Sequence, residues 1–536
     1  MLDIIFHFFL FFFLITTNGL IFFQICIFKN LDLNFFELTI LGLIATGFLS
    51  LLLNYFIPLN NTAILVNTIL NMTILFFYRN RINLNFNKNT KSILIMIGMF
   101  VLCSVQIYSS GFSDDLTHYH GGQIINSDNL KYIVGMNFLH HHYGYGSIWL
   151  ALHSYLNFNG SYLQDIHVLN ALLLFVILSY FLTELINTKK EKNTYAQLAI
   201  TVFIFFFLTK YTRLKEFGLD RPGILLFCFL IYFFLKFKNT KNAYGNSFIC
   251  ITIIICLFLT AIKLLFIFSF IIPLFVIFDT KNYYFFRCRE FLFSTFLGLA
   301  YVGKNILWTG CLIYPIYFTC FESISWNSKK IASNALFNLE YHTKGYDSYV
   351  GTLLKGQYLL NFNWVPTWYQ IVSEQLIAYT LLSALIIAVV LLVSEKTNTN
   401  SYGSHSKFVI LSLLVMNLFL FHKTPVIRYH HSLFLLFILS FFIFQKRIIV
   451  KRKIILGIIV VLFFFNVGKN IDRISKSNFI NNPIEHLKMI DWYQKPTKYK
   501  KGNFIYYGGW MGAYPIGNEN LDNKKYKKKF FDIIYN

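Results

Sequence analysis

Acidic side chains are scarce in this sequence. Only 24 of 536 residues are Asp or Glu, and charged residues of both signs make up 13%, where a soluble globular domain carries roughly a quarter. That shortfall excludes an ordinary soluble enzyme. The eight cysteines are scattered and no CxxC pair occurs, which removes the spacing that compact thiolate sites use. Cys311 and Cys320 share one loop and would pair if that loop faces an oxidising compartment. The N-terminal run has neither a basic leading region nor a small-residue cleavage pattern, so it is read as a first span rather than a removable signal peptide.

What is present is hydrocarbon. Hydrophobic residues make up 56% of the chain, and the runs begin with IIFHFFLFFFLITTNGLIFFQICIF at residues 4 to 28, long enough to cross a bilayer. The net charge of +23 sits in short links between these runs, which is the positive-inside pattern and implies no nucleic-acid partner. Basic links at 79–91, 187–194, 236–242, 287–290 and 445–453 are therefore assigned to the cytoplasm. Both flanks of the apolar run 247–278 are basic, so it must cross twice, turning near Lys263 at the outer face.

Carrying this alternation through predicts an all-α integral membrane protein of about fourteen transmembrane helices. They lie near 4–28, 36–56, 62–78, 92–109, 165–187, 195–209, 223–237, 247–261, 264–278, 291–308, 376–394, 408–421, 432–445 and 454–466. The segment 145–156 is too short to cross and is placed along the interface. The membrane domain covers 1–466, with large outer loops at 110–164 and 310–375, and residues 467–536 form a small extracytoplasmic tail.

Most of the unusual polar residues fall on the outer face. GFSDDLTHYHGG (111–122) places Asp114 and Asp115 just beyond a span, with His118 and His120 close behind. A partly desolvated carboxylate there can take a proton from an alcohol or hold a divalent metal; the plainer reading is a solvated loop start. FLHHHYGYG (138–146) adds His140, His141 and His142. Consecutive histidines on a loop are expected to point apart, which favours headgroup contact or solvation over a metal. KEFGLDRPG brings Lys215, Glu216, Asp220 and Arg221 into one outer link, as paired border charges or as a site for an anionic group and a sugar hydroxyl. Lys263, Lys304 and Arg428 share a predicted depth near the outer boundary. Each alone reads as a snorkelling anchor, and together they would suit a lipid-linked phosphate. The loop 310–375 is rich in aromatic residues, which suit sugar rings and the membrane interface alike.

DDLTHYHGGQI followed by GMNFLHHHYGYGSIWLALHSYL, then LKEFGLDRPGILL and GKNILWTGCLIYPI, resembles a family of uncharacterised bacterial polytopic membrane proteins similar to the GT-C glycosyltransferases. The resemblance spans roughly residues 100–330. It implies a GT-C-like architecture in the bacterial cytoplasmic membrane, with Asp114 or Asp115 as catalytic base on an acceptor hydroxyl. The implied donor is a polyprenyl-phosphate sugar and the acceptor a cell-envelope glycan or lipid. The substrate-binding set it points to is His118, His120, Lys215, Glu216, Asp220, Arg221, Lys263, Lys304 and Arg428. The resemblance fixes no definite cofactor. A divalent metal stays open, with Asp114, Asp115, His118 and His120 as candidate ligands, because the flanking histidines are not general GT-C features. A polysaccharide polymerase and a flippase or transporter of lipid-linked glycans are the competing readings. The scarcity of outer arginines disfavours the first, and the sparse intramembrane charge with no visible repeat disfavours the second.

Overall fold

A computed structural model describes residues 2–27, 33–78, 90–110, 119–157, 167–187, 194–214, 218–237, 245–396, 404–445, 448–476, 497–501, 504–508, 525–528 and 532–535. Every apolar run becomes a helix. The first half holds α1 (Leu2–Gly19), α2 (Phe35–Leu53), α3 (Asn61–Tyr78), α4 (Thr90–Ser109), the short α5 (Gly121–Asn129) and α6 (Ile148–Tyr155), then α7 (Val168–Asn187) and α8 (Thr194–Lys210). The middle holds α9 (Asp220–Phe237), α10 (Asn246–Ile262), α11 (Ile271–Thr280) and α12 (Arg289–Thr309). After the loop helices α13 (Lys329–Thr343) and α14 (Lys355–Leu359) come α15 (Val365–Leu392), α16 (Ser404–Lys423), α17 (His431–Ile443) and α18 (Arg452–Lys476).

Eight of the described helices are long and apolar enough to cross a membrane, and five further apolar helices are shorter. Their surfaces are inverted relative to a soluble protein. Leu65, Ile69, Phe76 and Phe77 on α3, and Val461, Phe464 and Phe465 on α18, are more than half exposed. Water would penalise such contiguous apolar faces, and lipid does not. The protein is a multi-pass, predominantly helical membrane protein.

Local sequence explains the helix ends. Asn34 caps α2 by accepting the Glu37 N–H at 2.9 Å, while the Glu37 carboxylate accepts the Asn34 N–H at 2.9 Å. α12 stops at Gly310, whose φ of 71° lies in the left-handed region. α10 stops at Lys263, which is extended (φ −155°, ψ 125°), and a 3-10 stretch Leu264–Phe270 leads into α11. The double crossing expected from the basic flanks thus has a real chain break at Lys263. α15 is 28 residues long, or about 42 Å against about 30 Å of hydrocarbon, and it begins well before the expected span boundary at residue 376. α18 likewise runs to Lys476, past the expected boundary at 466.

Close packing joins α1 to α2. A Cβ on Gly42 would lie 2.0 Å from the Ile15 carbonyl oxygen and one on Gly19 2.1 Å from that of Leu38, so only glycine permits this backbone approach.

The inner end is pinned by ions. Lys236 on α9 donates to Glu37 on α2 at 2.8 Å and to Glu184 on α7 at 3.0 Å. The Tyr180 hydroxyl donates to Glu37 at 2.5 Å and the Tyr232 hydroxyl to Glu184 at 2.8 Å. Three helix ends assigned to one side by their basic links therefore meet. Strands β1 (Ser394–Lys396) and β2 (Ile448–Val450) pair antiparallel and clip two further links assigned to that side.

At the opposite end of the helices, Cys311 and Cys320 form a disulfide directly after α12, the pairing expected if that loop faces an oxidising compartment. The C-terminal region holds the hairpins β3 (Thr497–Lys501) with β4 (Phe504–Gly508) and β5 (Lys525–Lys528) with β6 (Asp532–Tyr535). Ile534 of β6 donates its N–H to the Val134 carbonyl at 3.0 Å and is buried with Tyr132, Phe138, Tyr143 and Trp308. Strand β6 is thereby docked on the 132–139 segment.

Candidate functional site

Three chain reversals converge at one end of the helices: the link from the end of α8 to the start of α9, the break after α10 and the 3-10 turn Ile427–His430 before α17. Asp220 opens α9, where a carboxylate favours the positive end of the helix dipole, and Pro222 occupies a first-turn position that needs no N–H partner. The Lys263 amine donates to Asp220 Oδ1 at 2.5 Å and lies 3.1 Å from the centroid of the Tyr429 ring. Arg428 donates to the Tyr429 hydroxyl at 3.3 Å. Lysine on an aromatic face with a carboxylate at its side is a desolvated, oriented cation.

A second shoulder of the cluster is formed by His431. Its Nε2 faces the Tyr379 hydroxyl at 2.5 Å and its Nδ1 the Tyr211 hydroxyl at 3.5 Å. Lys210 lies 3.8 Å above the Tyr379 ring, and the Arg221 guanidinium 5.1 Å from the Tyr211 ring centroid. His430 is fixed between Asn417 Oδ1 and the Thr424 carbonyl, both at 3.0 Å. The Trp368 indole donates to the Pro425 carbonyl at 2.7 Å, which holds the turn in place. Burial pushes the Tyr211 phenol well above its usual range, so it stays a neutral hydrogen-bonding group.

The first outer loop forms the adjoining wall. The Ser147 hydroxyl donates to the Ile262 carbonyl at 3.0 Å, one residue before Lys263. Burial, and then the neighbouring Tyr429, raises the Tyr145 phenol. Lys304, buried in α12, donates to the Gly146 carbonyl at 2.5 Å and packs against Trp308 and Tyr301. Gly146 has φ 34°, and a Cβ there would sit 2.4 Å from the Lys304 amine. Tyr119 stacks on His142 with centroids 4.7 Å apart. On the far side Ser110 accepts the Leu214 N–H at 2.9 Å.

The expected site residues therefore divide. Asp220, Arg221, Lys263 and Arg428 are gathered in one cluster. Lys304 is set apart as the support of Gly146. His120 is buried beside Tyr119, in the neighbourhood of His153 and His167. Burial, followed by the other two imidazoles, holds His153 well below the usual histidine range. Asp114, Asp115, His118, Lys215 and Glu216 lie outside the described residues. The expectation that His140, His141 and His142 diverge is corrected: one ligand nitrogen from each lies within 4.8 Å of the others, because a 3-10 turn folds the run back on itself.

Lys210, Tyr211, Tyr379, Tyr429 and His431 escaped the sequence reading. Only RYHH, with its aromatic and imidazole groups beside Arg428, carried a usable signal. Neither a search of curated proteins nor one of solved structures finds a match. A family model described as a domain of unknown function, DUF8201, matches residues 1–435, which include every residue of the cluster. The chain belongs to the DUF8201 family.

Proposed function

We propose that this protein is a membrane glycosyltransferase that moves a sugar from a polyprenyl-phosphate donor to a cell-envelope glycan or lipid acceptor on the outer face of the bacterial cytoplasmic membrane. In this reading fourteen apolar helices cross the bilayer in a GT-C-like arrangement. The observation that carries it is the gathering of four cations, Lys210, Arg221, Lys263 and Arg428, beside aromatic rings in one cluster, in which Asp220 is the one carboxylate among the described residues. A surplus of positive charge at the lipid boundary, backed by aromatic rings, suits a lipid-linked phosphate whose tail remains in the bilayer.

In the reaction proposed, Asp114 or Asp115 takes the proton of the acceptor hydroxyl as its oxygen bonds to the anomeric carbon. The bond from that carbon to the phosphate oxygen breaks, and polyprenyl phosphate departs with the electron pair. The cations stabilise the charge that grows on the leaving phosphate. Lys263 is shared between Asp220 and the phosphate, so its grip depends on that ion pair.

The test is transfer of radiolabelled sugar from a polyprenyl-phosphate donor pool in membranes carrying wild type, Asp114→Asn or Asp115→Asn at matched expression. Loss of transfer in one or both variants supports the reading, and equal transfer in all three removes the acidic pair from it. Lys263→Ala and Arg428→Ala should weaken donor binding about tenfold or more, the value of a charge-assisted contact; unchanged binding takes the phosphate site away. A carrier of lipid-linked glycans is the second reading. It is favoured by the Glu37–Lys236–Glu184 network, since paired charges joining the ends of several spans also mark ion and substrate pathways in transporters. Movement of intact donor across the membrane without sugar transfer would decide for it.

A further inference from the structure

His140, His141 and His142 stand apart from the cation cluster and have no part in the reaction proposed above. Among the described residues they are the one group of three or more histidine, cysteine or carboxylate side chains whose ligand atoms gather, all within 4.8 Å of one another. Tetrahedral coordination at 2.0–2.1 Å per bond needs nitrogen separations of about 3.3 Å, a gap that rotation of the exposed His141 ring and the half-buried His142 ring toward His140 would close.

The surroundings hold this turn still. Tyr119 stacks on His142 with ring planes 16° apart. The Tyr314 hydroxyl donates to the His141 carbonyl at 3.3 Å. Gly144 lies so close to Tyr314 that a Cβ would meet its ring at 2.7 Å. The packing of Ile534 on the neighbouring 132–139 segment braces the turn from the other side. Burial is graded across the group: His140 is buried, His142 partly so, and His141 exposed. One side is therefore protein and the other is open to solvent, which supplies an entry path and room for further ligands.

We propose that His140, His141 and His142 bind a divalent transition-metal ion of the zinc or cobalt class, leaving at least one coordination position open on the outer face. Three imidazole ligands, the whole of the group among the described residues, favour borderline metals over magnesium or calcium, which require oxygen ligands. The open position distinguishes the site from a closed structural one. A competing contact, the His142 N–H to His140 Nδ1 at 3.2 Å, is at the long end of the hydrogen-bond range, and a metal–nitrogen bond outweighs it.

The experiment uses the full-length protein in detergent, purified through a tag that contains no histidine and stripped with a chelator. Titration with Co²⁺, followed by its visible d–d absorption, should show a saturable site that Zn²⁺ competes for and Mg²⁺ does not. His141→Ala and His142→Ala should each weaken Co²⁺ binding more than about tenfold, with His141→Ala retaining the wild-type melting temperature because the side chain is exposed. A wild-type protein with no saturable site, binding unchanged in both variants, or displacement of Co²⁺ by Mg²⁺ would each overturn the assignment. Sugar transfer plays no part in the readout, so failure of the function proposed above leaves this result intact.

Discussion

Lys304 is not the snorkelling anchor its position in the sequence implies. Its amine turns inward, onto the Gly146 carbonyl, between Trp308 and Tyr301. The cost of burying the amine is offset in part by this hydrogen bond and by the two aromatic faces. Lys304→Met keeps the length and removes the donor, so the Gly146 carbonyl loses its partner. We expect a loss of about 1–3 kcal/mol, seen as a lower melting temperature in detergent. Gly146→Ala should behave similarly, because the left-handed φ and the 2.4 Å approach to the amine both exclude a methyl group. An unchanged melt for both variants would show that this bond does not brace the loop. Lys263 and Lys304 looked alike in sequence, each a lone lysine at a similar predicted depth near the outer boundary. Partners brought by other elements separate them: Asp220 lies 43 residues from Lys263, and Gly146 lies 158 from Lys304.

Between elements, ion pairs act as pins. Lys236 is the common donor to Glu37 and Glu184, 199 and 52 residues away along the chain. Lys236→Met leaves two carboxylates facing one another in a buried setting, and should cost about 3–5 kcal/mol. Adding Glu37→Gln and Glu184→Gln should recover much of that loss in thermal stability, since the uncompensated charge is then gone. The outer loop is pinned in the same way. Glu340 of α13 accepts from Lys344 at 2.7 Å and pairs with Lys423 at the end of α16 at 3.5 Å. Burial would raise the Glu340 carboxyl, but the two lysines outweigh it and hold the group below its usual range. Its folded pKa is therefore below the unfolded value, so the stabilisation is complete above that unfolded value, about 4.3, and fades as pH falls through the folded one. Loosening of the 310–375 loop, followed by limited proteolysis, should appear on acidification in wild type and at every pH in Glu340→Gln. Hydropathy and capping made the helices legible: Asn34 and Glu37 announce the start of α2, and the flanking bases place the break at Lys263. Neither pin was legible, because each joins charges that single-helix patterns treat as separate border residues.

For the molecule as a whole, the basic links and the folded contacts agree on two ends. A cysteine introduced at Ser348 should react with a membrane-impermeant thiol reagent in intact cells, and one at Asn239 only after permeabilisation; the reverse pattern would invert every outer assignment made above. The sequence by itself determined that the chain is a predominantly helical, multi-pass membrane protein and where its apolar helices run. Those properties depend on residues adjacent in the chain, through runs of hydrocarbon and the charges that flank them. It also marked Asp220, Arg221, Lys263 and Arg428 as unusual, because charge at a span border is conspicuous. Only the tertiary structure decided that these four share one cluster with Lys210, Tyr379 and His431, that Lys304 does not belong to it, and that three consecutive histidines converge. Those outcomes depend on which helix ends meet and on how one turn folds back on itself. Both are set by side-chain packing between distant segments, to which a periodicity or a charge count carries no access.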